Sequence, residues 1–198
     1  AGGTLEFDAV QGFANGATNL YLNGGWVTGG PNNFRGDLFL WNGNEQITAG
    51  GATTSTIATI IGVTGNNNTI TVDGGSTLNI TGGIKNSDWN NNGSTPGGFI
   101  KAGSGTLTLS GANSYSSGTT VDGGTLKIAG RNQLPANGGI TVATGATLLT
   151  DAPNDANTQD ISSTIILNGG TLAAGTGTPA QNFNGGNPVG PWGNFHMA

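Results

Sequence analysis

No cysteine occurs in this chain of 198 residues, which excludes a disulfide framework and a thiolate metal site. Charge is scarce as well: Asp, Glu, Lys and Arg make up 8% of the chain, against about 25% in an average soluble protein. The five bases, Arg35, Lys85, Lys101, Lys127 and Arg131, are scattered and outnumbered by ten acids, giving a net charge of −5. Phosphate recognition needs a basic patch, so nucleic acid is excluded as a partner. Histidine occurs once, as His196, and there is no Gly-x-Ser-x-Gly elbow for it to serve. No apolar run reaches the length of a signal peptide or a membrane span. The chain opens on Ala1 without an initiator Met. A mature exported product explains both facts most simply, and a cloned segment explains them too. Helices are not expected, because Gly or a β-branched residue breaks every candidate window.

What is abundant is Gly, at 39 residues, together with Thr, Asn and Ser, which supply a neutral polar surface in place of charge. With seven Pro, that content approaches the level where low-complexity disorder competes. Periodicity excludes disorder. Four stretches, 69–80, 120–128, 139–149 and 164–173, each read as a short β-type run, a Gly-centred corner, and a second run opening on Thr-Leu. Within them β-branched residues and Leu alternate with small polar ones, as in strands with one buried side. Collagen is excluded because the Gly residues do not fall at every third position.

A unit this small cannot bury its own apolar face, so the copies must stack. The Leu of each Thr-Leu pair gives a marker at Leu78, Leu107, Leu126, Leu148 and Leu172, with steps of 29, 19, 22 and 24 residues. A repeat of roughly 20 to 30 residues is a solenoid spacing, whereas sandwich hairpins place turns about every 8 to 12 residues. The fold expected is an all-β parallel β-solenoid occupying residues 1–198 as one domain. Some eight rungs about 4.8 Å apart would make a rod on the order of 40 Å long. The alternative is a β-sandwich whose Thr/Gly/Leu strings recur through composition alone.

Three stretches divide the domain. Residues 1–62 are the least regular, with strand candidates at Gly3–Phe7, Asn19–Gly25 and Asp37–Trp41 and many of the aromatics. Residues 63–174 carry the repeats. Two insertions, Lys85–Gly98 and Asp151–Asp160, are rich in turn residues and should project as loops, the first accounting for the 29-residue step. Residues 175–198 lose the pattern and stop where another β-type run could begin, which suggests a fragment of a longer protein or a segment completed by another subunit. Aromatics near both ends, among them Trp26 and Trp192, are expected to cap the open ends.

The run from Ala102 to Ile128, with Gly105-Thr-Leu-Thr-Leu109, Ser110-Gly-Ala-Asn-Ser-Tyr115, Gly118-Thr-Thr-Val121 and Gly123-Gly-Thr-Leu126, resembles the autotransporter-associated β-strand repeat. Ser114 and Ser117 depart mildly from it, and only Gly-Gly-Thr-Leu echoes persist outside it. The resemblance implies a right-handed parallel β-helix in a bacterial secreted or cell-surface protein of structural or adhesive use. It implies no catalytic residues, because the repeat is scaffold, and no cofactor is expected. An autotransporter ends in a membrane β-barrel, and no such strands appear here, so the expectation is a passenger without its translocator or a free secreted module.

Catalysis would require carboxylates or metal ligands that this scaffold does not need for its fold. Glycoside hydrolysis needs two carboxyls about 5 to 9.5 Å apart. Glu6 and Asp8 share one strand face, while Asp73 and Asp122 occupy equivalent corners, where Asp-Gly simply makes a turn. The pair is 49 residues apart, about two rungs. Asp151, Asp155 and Asp160 could bind Ca²⁺, as a polysaccharide lyase would require, but no EF-hand or nonapeptide motif frames them. For glycan binding the candidates are Trp89 with Asp88, Asn90 and neighbouring amides, and Trp26, since an indole stacks on a sugar ring while amides bond its hydroxyls. The competing reading folds Trp89 back over the core. For self-association the candidate is the N-terminal strand carrying Thr4, Leu5 and Phe7, which could add to a neighbouring subunit. The function expected is a non-enzymatic rod, adhesin segment or fibre subunit that self-associates, with glycans or host and biofilm surfaces as further partners and no membrane-spanning segment. The alternatives are a carbohydrate-binding module and, third, a polysaccharide lyase or hydrolase.

Overall fold

Short alternating runs joined by Gly corners can bury their apolar side only against copies of themselves, and the parallel ladder is the arrangement that results. The computed structural model describes residues 44–86, 95–129, 134, 138–151 and 163–175, together with Gly24 and the strands at 4–7, 11–13, 19–22, 26–29, 38–40 and 195–197. Twenty strands are described: β1 (Thr4–Phe7), β2 (Gln11–Phe13), β3 (Asn19–Leu22), β4 (Trp26–Gly29), β5 (Leu38–Leu40), β6 (Gln46–Ala49), β7 (Thr54–Ile57), β8 (Ile61–Val63), β9 (Gly65–Val72) and β10 (Thr77–Ile80). They continue as β11 (Ile84–Asn86), β12 (Gly97–Ala102), β13 (Thr106–Leu109), β14 (Thr119–Val121), β15 (Thr125–Ile128), β16 (Ile140–Ala143), β17 (Thr147–Thr150), β18 (Ile165–Asn168), β19 (Thr171–Ala174) and β20 (Phe195–Met197). The described residues contain no helix.

The strands form three faces of a β-solenoid. Face A is eight strands deep, in the order β1-β4-β7-β10-β13-β15-β17-β19, and face C is eight deep, from β3 through β6, β9, β12, β14, β16 and β18 to β20. Face B has four strands, β2-β5-β8-β11. Four circuits therefore carry a strand on all three faces; from β13 onward the strands alternate between A and C. Every strand-to-strand pairing is parallel.

The marker leucines fall into one register. Leu78 faces Leu107, Leu107 faces Leu126, Leu126 faces Leu148, and Leu148 faces Leu172. The first four are buried and Leu172 packs against the core. Beside them Ile57, Ile80, Leu109 and Ile128 make a second inward row of face A. Face C answers with Ile47, Ile70, Val121 and Val142. Each such side chain contributes roughly 1.5–3 kcal/mol by leaving water. The strand candidates read in the irregular start are strands: β1, β3 and β5 fall inside the three stretches named from sequence.

The Lys85–Gly98 insertion is shorter than its composition suggested. Lys85 and Asn86 end β11, and Gly97 and Gly98 begin β12. Asn86 explains the difference, because its side chain supplies bonds that the backbone ladder no longer makes. Its Oδ1 accepts from the Gly97 and Ser116 N–H groups at 3.0 and 2.9 Å, and its Nδ2 donates to Ser116 Oγ at 2.8 Å.

After β11, face B is continued by a single parallel bridge between Lys85 and Ser114. The repeat residues around that bridge take up the missing strand's work. Asn113 Oδ1 accepts the Ile84 N–H at 2.6 Å, tying this circuit to the one before. Tyr115 turns inward, fully buried, and meets Phe99 edge-on with centroids 5.4 Å apart. Its hydroxyl pairs with that of Thr119 at 2.5 Å. The Asn and Tyr of the Ser-Gly-Ala-Asn-Ser-Tyr motif are thus a circuit-to-circuit tie and an interior filler.

Candidate functional site

Two kinds of place could act on another molecule: the open ends of the solenoid and the turns on its sides. At the N-terminal end, β1, β2 and β3 are the outermost strands of faces A, B and C. Each has a strand partner on one side only among the described residues. Thr4, Leu5 and Phe7 lie in β1, in register with Trp26, Val27 and Gly29 of β4. An outermost parallel strand presents unpaired N–H and C=O groups to any further strand. Trp26 stands at the register position beside Thr56. At the other end, β19 and β20 are outermost on faces A and C, and β20 places His196 opposite Ile166.

Asp88, Trp89 and Asn90 lie outside the described residues, as do Asp155 and Asp160. The base from which the Trp89 segment leaves is described, and it is closed by the Asn86 network: the bond from Gly97 N–H to Asn86 Oδ1 brings its two flanks together.

Asp73 and Asp122 sit exposed at corners that carry the chain from face C to face A. The β12–β13 corner lies between them, so they are two circuits apart, about 10 Å along the ladder, and are not neighbours on adjacent circuits. Asp151 is held by Lys127 at 2.5 Å. Among the described residues no three His, Cys, Asp or Glu side chains are grouped to hold a metal ion.

The interior contains polar groups that the sequence reading did not single out. Lys101 occupies the inward row of face C between Ile70 and Val121 and is fully buried. Its Nζ donates to the carbonyls of Ala102, Gly103 and Gly123 at 2.8, 2.8 and 2.9 Å, which uses all three ammonium protons. Desolvation lowers its pKa from 10.5 to about 8. Asn68, also fully buried, donates through Nδ2 to the carbonyls of Thr64, Gly65 and Gly98, while its Oδ1 has no partner among the described residues. Glu45, buried just ahead of β6, accepts the Asn44 N–H at 3.1 Å. A signal for Lys101 was present: counting back from the Gly corner, it holds the place of Val72 and Val121 in their strands.

Residues 99–128 match the family model of the passenger-associated transport repeat, extending the stretch recognised from residue 102 by three residues at its start. Over 177 residues, 89% of its length, the chain is 32% identical to the protein named "Adhesin BmaC autotransporter" of Brucella suis biovar 1 (strain 1330). The chain spans about 4% of that relative's own length. No solved structure matches the chain. The all-β solenoid and the autotransporter-type repeat expected from the sequence are both borne out.

Proposed function

We propose that this chain is a segment of a secreted or cell-surface bacterial rod of adhesin type, with no catalytic role of its own, whose ends are completed by further parallel strands. The observation that carries this reading is the in-register ladder, eight strands deep on two faces, in a chain similar to an autotransporter adhesin. Such a ladder is stiff because each circuit is bonded to its neighbours through backbone groups and filled by stacked Leu and Ile. Distance between anchor and contact is what a rod supplies, and it needs no active site.

Strand addition at β1 is supported by its outermost position on face A. The isolated chain is expected to associate end to end, giving filaments or short rods by negative-stain electron microscopy. Removal of residues 1–8 should leave single rods; filaments that persist unchanged would rule out the N-terminal strand as the joint.

A second reading is favoured by the closed base at Asn86, where the residues on either side of the Trp89 segment, Asn86 and Gly97, are bonded to each other. Trp89, flanked by Asp88 and Asn90, would stack on a sugar ring, with Trp26 as a separate candidate. Trp89→Ala is expected to weaken binding on a glycan array by about tenfold, the scale of one aromatic stacking contact. Equal signals from the two proteins would remove that residue from consideration.

A further inference from the structure

We propose that β12 sets the register of the solenoid, with the buried side chains of Asn68 and Lys101 as the two locks that hold it against its neighbours. The need for a lock comes from the repeats. A one-residue slip between parallel strands turns every inward side chain outward and is forbidden by the core. A slip of two residues keeps the alternation. Thr106-Leu-Thr-Leu109, Thr125-Leu-Lys-Ile128 and Thr147-Leu-Leu-Thr150 each keep an apolar residue inward when displaced by two, at least in part. The solenoid itself contains such an offset. Thr77 of β10 faces Thr54, the first residue of β7, whereas Trp26, the first residue of β4, faces Thr56. Hydrophobic patterning therefore leaves the register open by two residues, and something else must fix it.

The register is most exposed to error at β12. The segment ahead of it carries the longest step between marker leucines in the repeats, and β9 holds an extra residue against it, Gly97 facing Gly65 while Phe99 faces Asn68. Both locks act there, on opposite sides of the strand. Asn68, on β9, reaches forward to the carbonyl of Gly98 in β12 at 3.1 Å while holding Thr64 of its own circuit at 2.9 Å. Lys101, on β12, reaches forward to Gly123 in the corner that follows β14, while holding Ala102 and Gly103 of its own corner. Displacing β12 by two residues against either neighbour would take Asn68 Nδ2 from the Gly98 carbonyl or Lys101 Nζ from the Gly123 carbonyl, the bonds by which each donor reaches the next circuit. A buried ammonium left with one of its three protons unbonded carries a desolvation cost that no water repays.

The absence of cysteine makes a direct test possible. Ile100 and Thr120 are partners on β12 and β14. Ile100→Cys with Thr120→Cys reports the native register. Ile100→Cys with Asp122→Cys reports a two-residue slip, because in the native register those Cα atoms lie about 8 Å apart, beyond disulfide reach. With Lys101 in place, only the first pair should close on mild oxidation of the full chain. In Lys101→Met the second pair should close about tenfold more than in the parent, the shift expected when one buried charged hydrogen-bonding group is lost. Lys101→Gln, which keeps two donors without the charge, should restore the native pattern. An unchanged pattern in a folded Lys101→Met chain would overturn the proposal. So would loss of sheet signal by circular dichroism in both variants, since Lys101 would then act through stability alone. A Met variant that unfolds beside a Gln variant that folds and cross-links natively supports the lock.

Discussion

Gly124→Ala is expected to destabilise the solenoid by about 3 kcal/mol, while the same change at Gly145 costs only about 1 kcal/mol. Both glycines turn the chain from face C to face A with positive φ, +61° and +78°. Alanine pays the left-handed backbone strain at either site, which is about 1 to 2 kcal/mol. They differ in what lies above them. A Cβ at Gly124 would sit 2.4 Å from the Gly105 carbonyl oxygen and 2.6 Å from that of Gly103, both on the preceding circuit. A Cβ at Gly145 would meet nothing within 4 Å. Backbone carbonyls cannot swing aside as a side chain can, so the two circuits must part, weakening the bond from Thr125 N–H to the Gly105 carbonyl, now 3.1 Å. Denaturant unfolding gives the two losses, and amide exchange at Thr125 locates the first. Equal losses would mean that strain, not the contact between circuits, decides what a corner tolerates.

That contrast marks how far the chain could be read without its structure. Gly-Gly-Thr-Leu announces a corner followed by an inward Leu, and the five marker leucines do share one register. Face A was legible because its inward positions are mostly Leu or Ile and its outward ones mostly Thr, a period-two signal that survives irregular spacing. Asp73 and Asp122 were legible as turn residues for the same reason. Which glycines touch the neighbouring circuit was not, because Gly124 and Gly145 both read simply as corner glycines ahead of a Thr-Leu run, and what each meets lies about 20 residues away, the length of one circuit.

Face B and the polar interior were the least legible. Leu38, Ile61 and Ile84 stack as a third inward row, but their strands are three residues long, too short for alternation to stand out. Lys101 was read as one of five scattered bases, since a charged residue is normally taken as outward-facing. Only a three-dimensional corner, with the carbonyls of Ala102, Gly103 and Gly123 pointing at one spot, makes an inward lysine tolerable. Asn86 was read as part of a loop because Asn favours turns; here its amide bonds to β12 and to Ser116 instead.

The buried lysine gives the stability of the chain an unusual dependence on pH. Below pH 8 Lys101 is protonated in both the folded and unfolded chain, and the folded chain bears the full cost of holding an ammonium away from water. Above 10.5, the value in the unfolded chain, it is neutral in both, and that cost is gone. Between the two the unfolded chain binds more protons than the folded one, so stability rises with pH across that window. Glu45, the other buried charged side chain among the described core residues, belongs to a circuit two removed and holds the Asn44 N–H, so it does not neutralise the ammonium. Tyr115 acts in the opposite sense. Burial pushes its hydroxyl above the ordinary value of 10.0, so above pH 10 the unfolded chain sheds a proton that the folded chain keeps, and stability falls. Denaturation midpoints should therefore climb from pH 7 to a maximum near pH 10 and then decline. Lys101→Met should abolish the climb and keep the decline, and Tyr115→Phe should do the reverse. A wild-type midpoint that is flat from pH 7 to pH 10 would mean that the three carbonyls offset desolvation in full, leaving the lysine as stably charged inside the solenoid as it is in water.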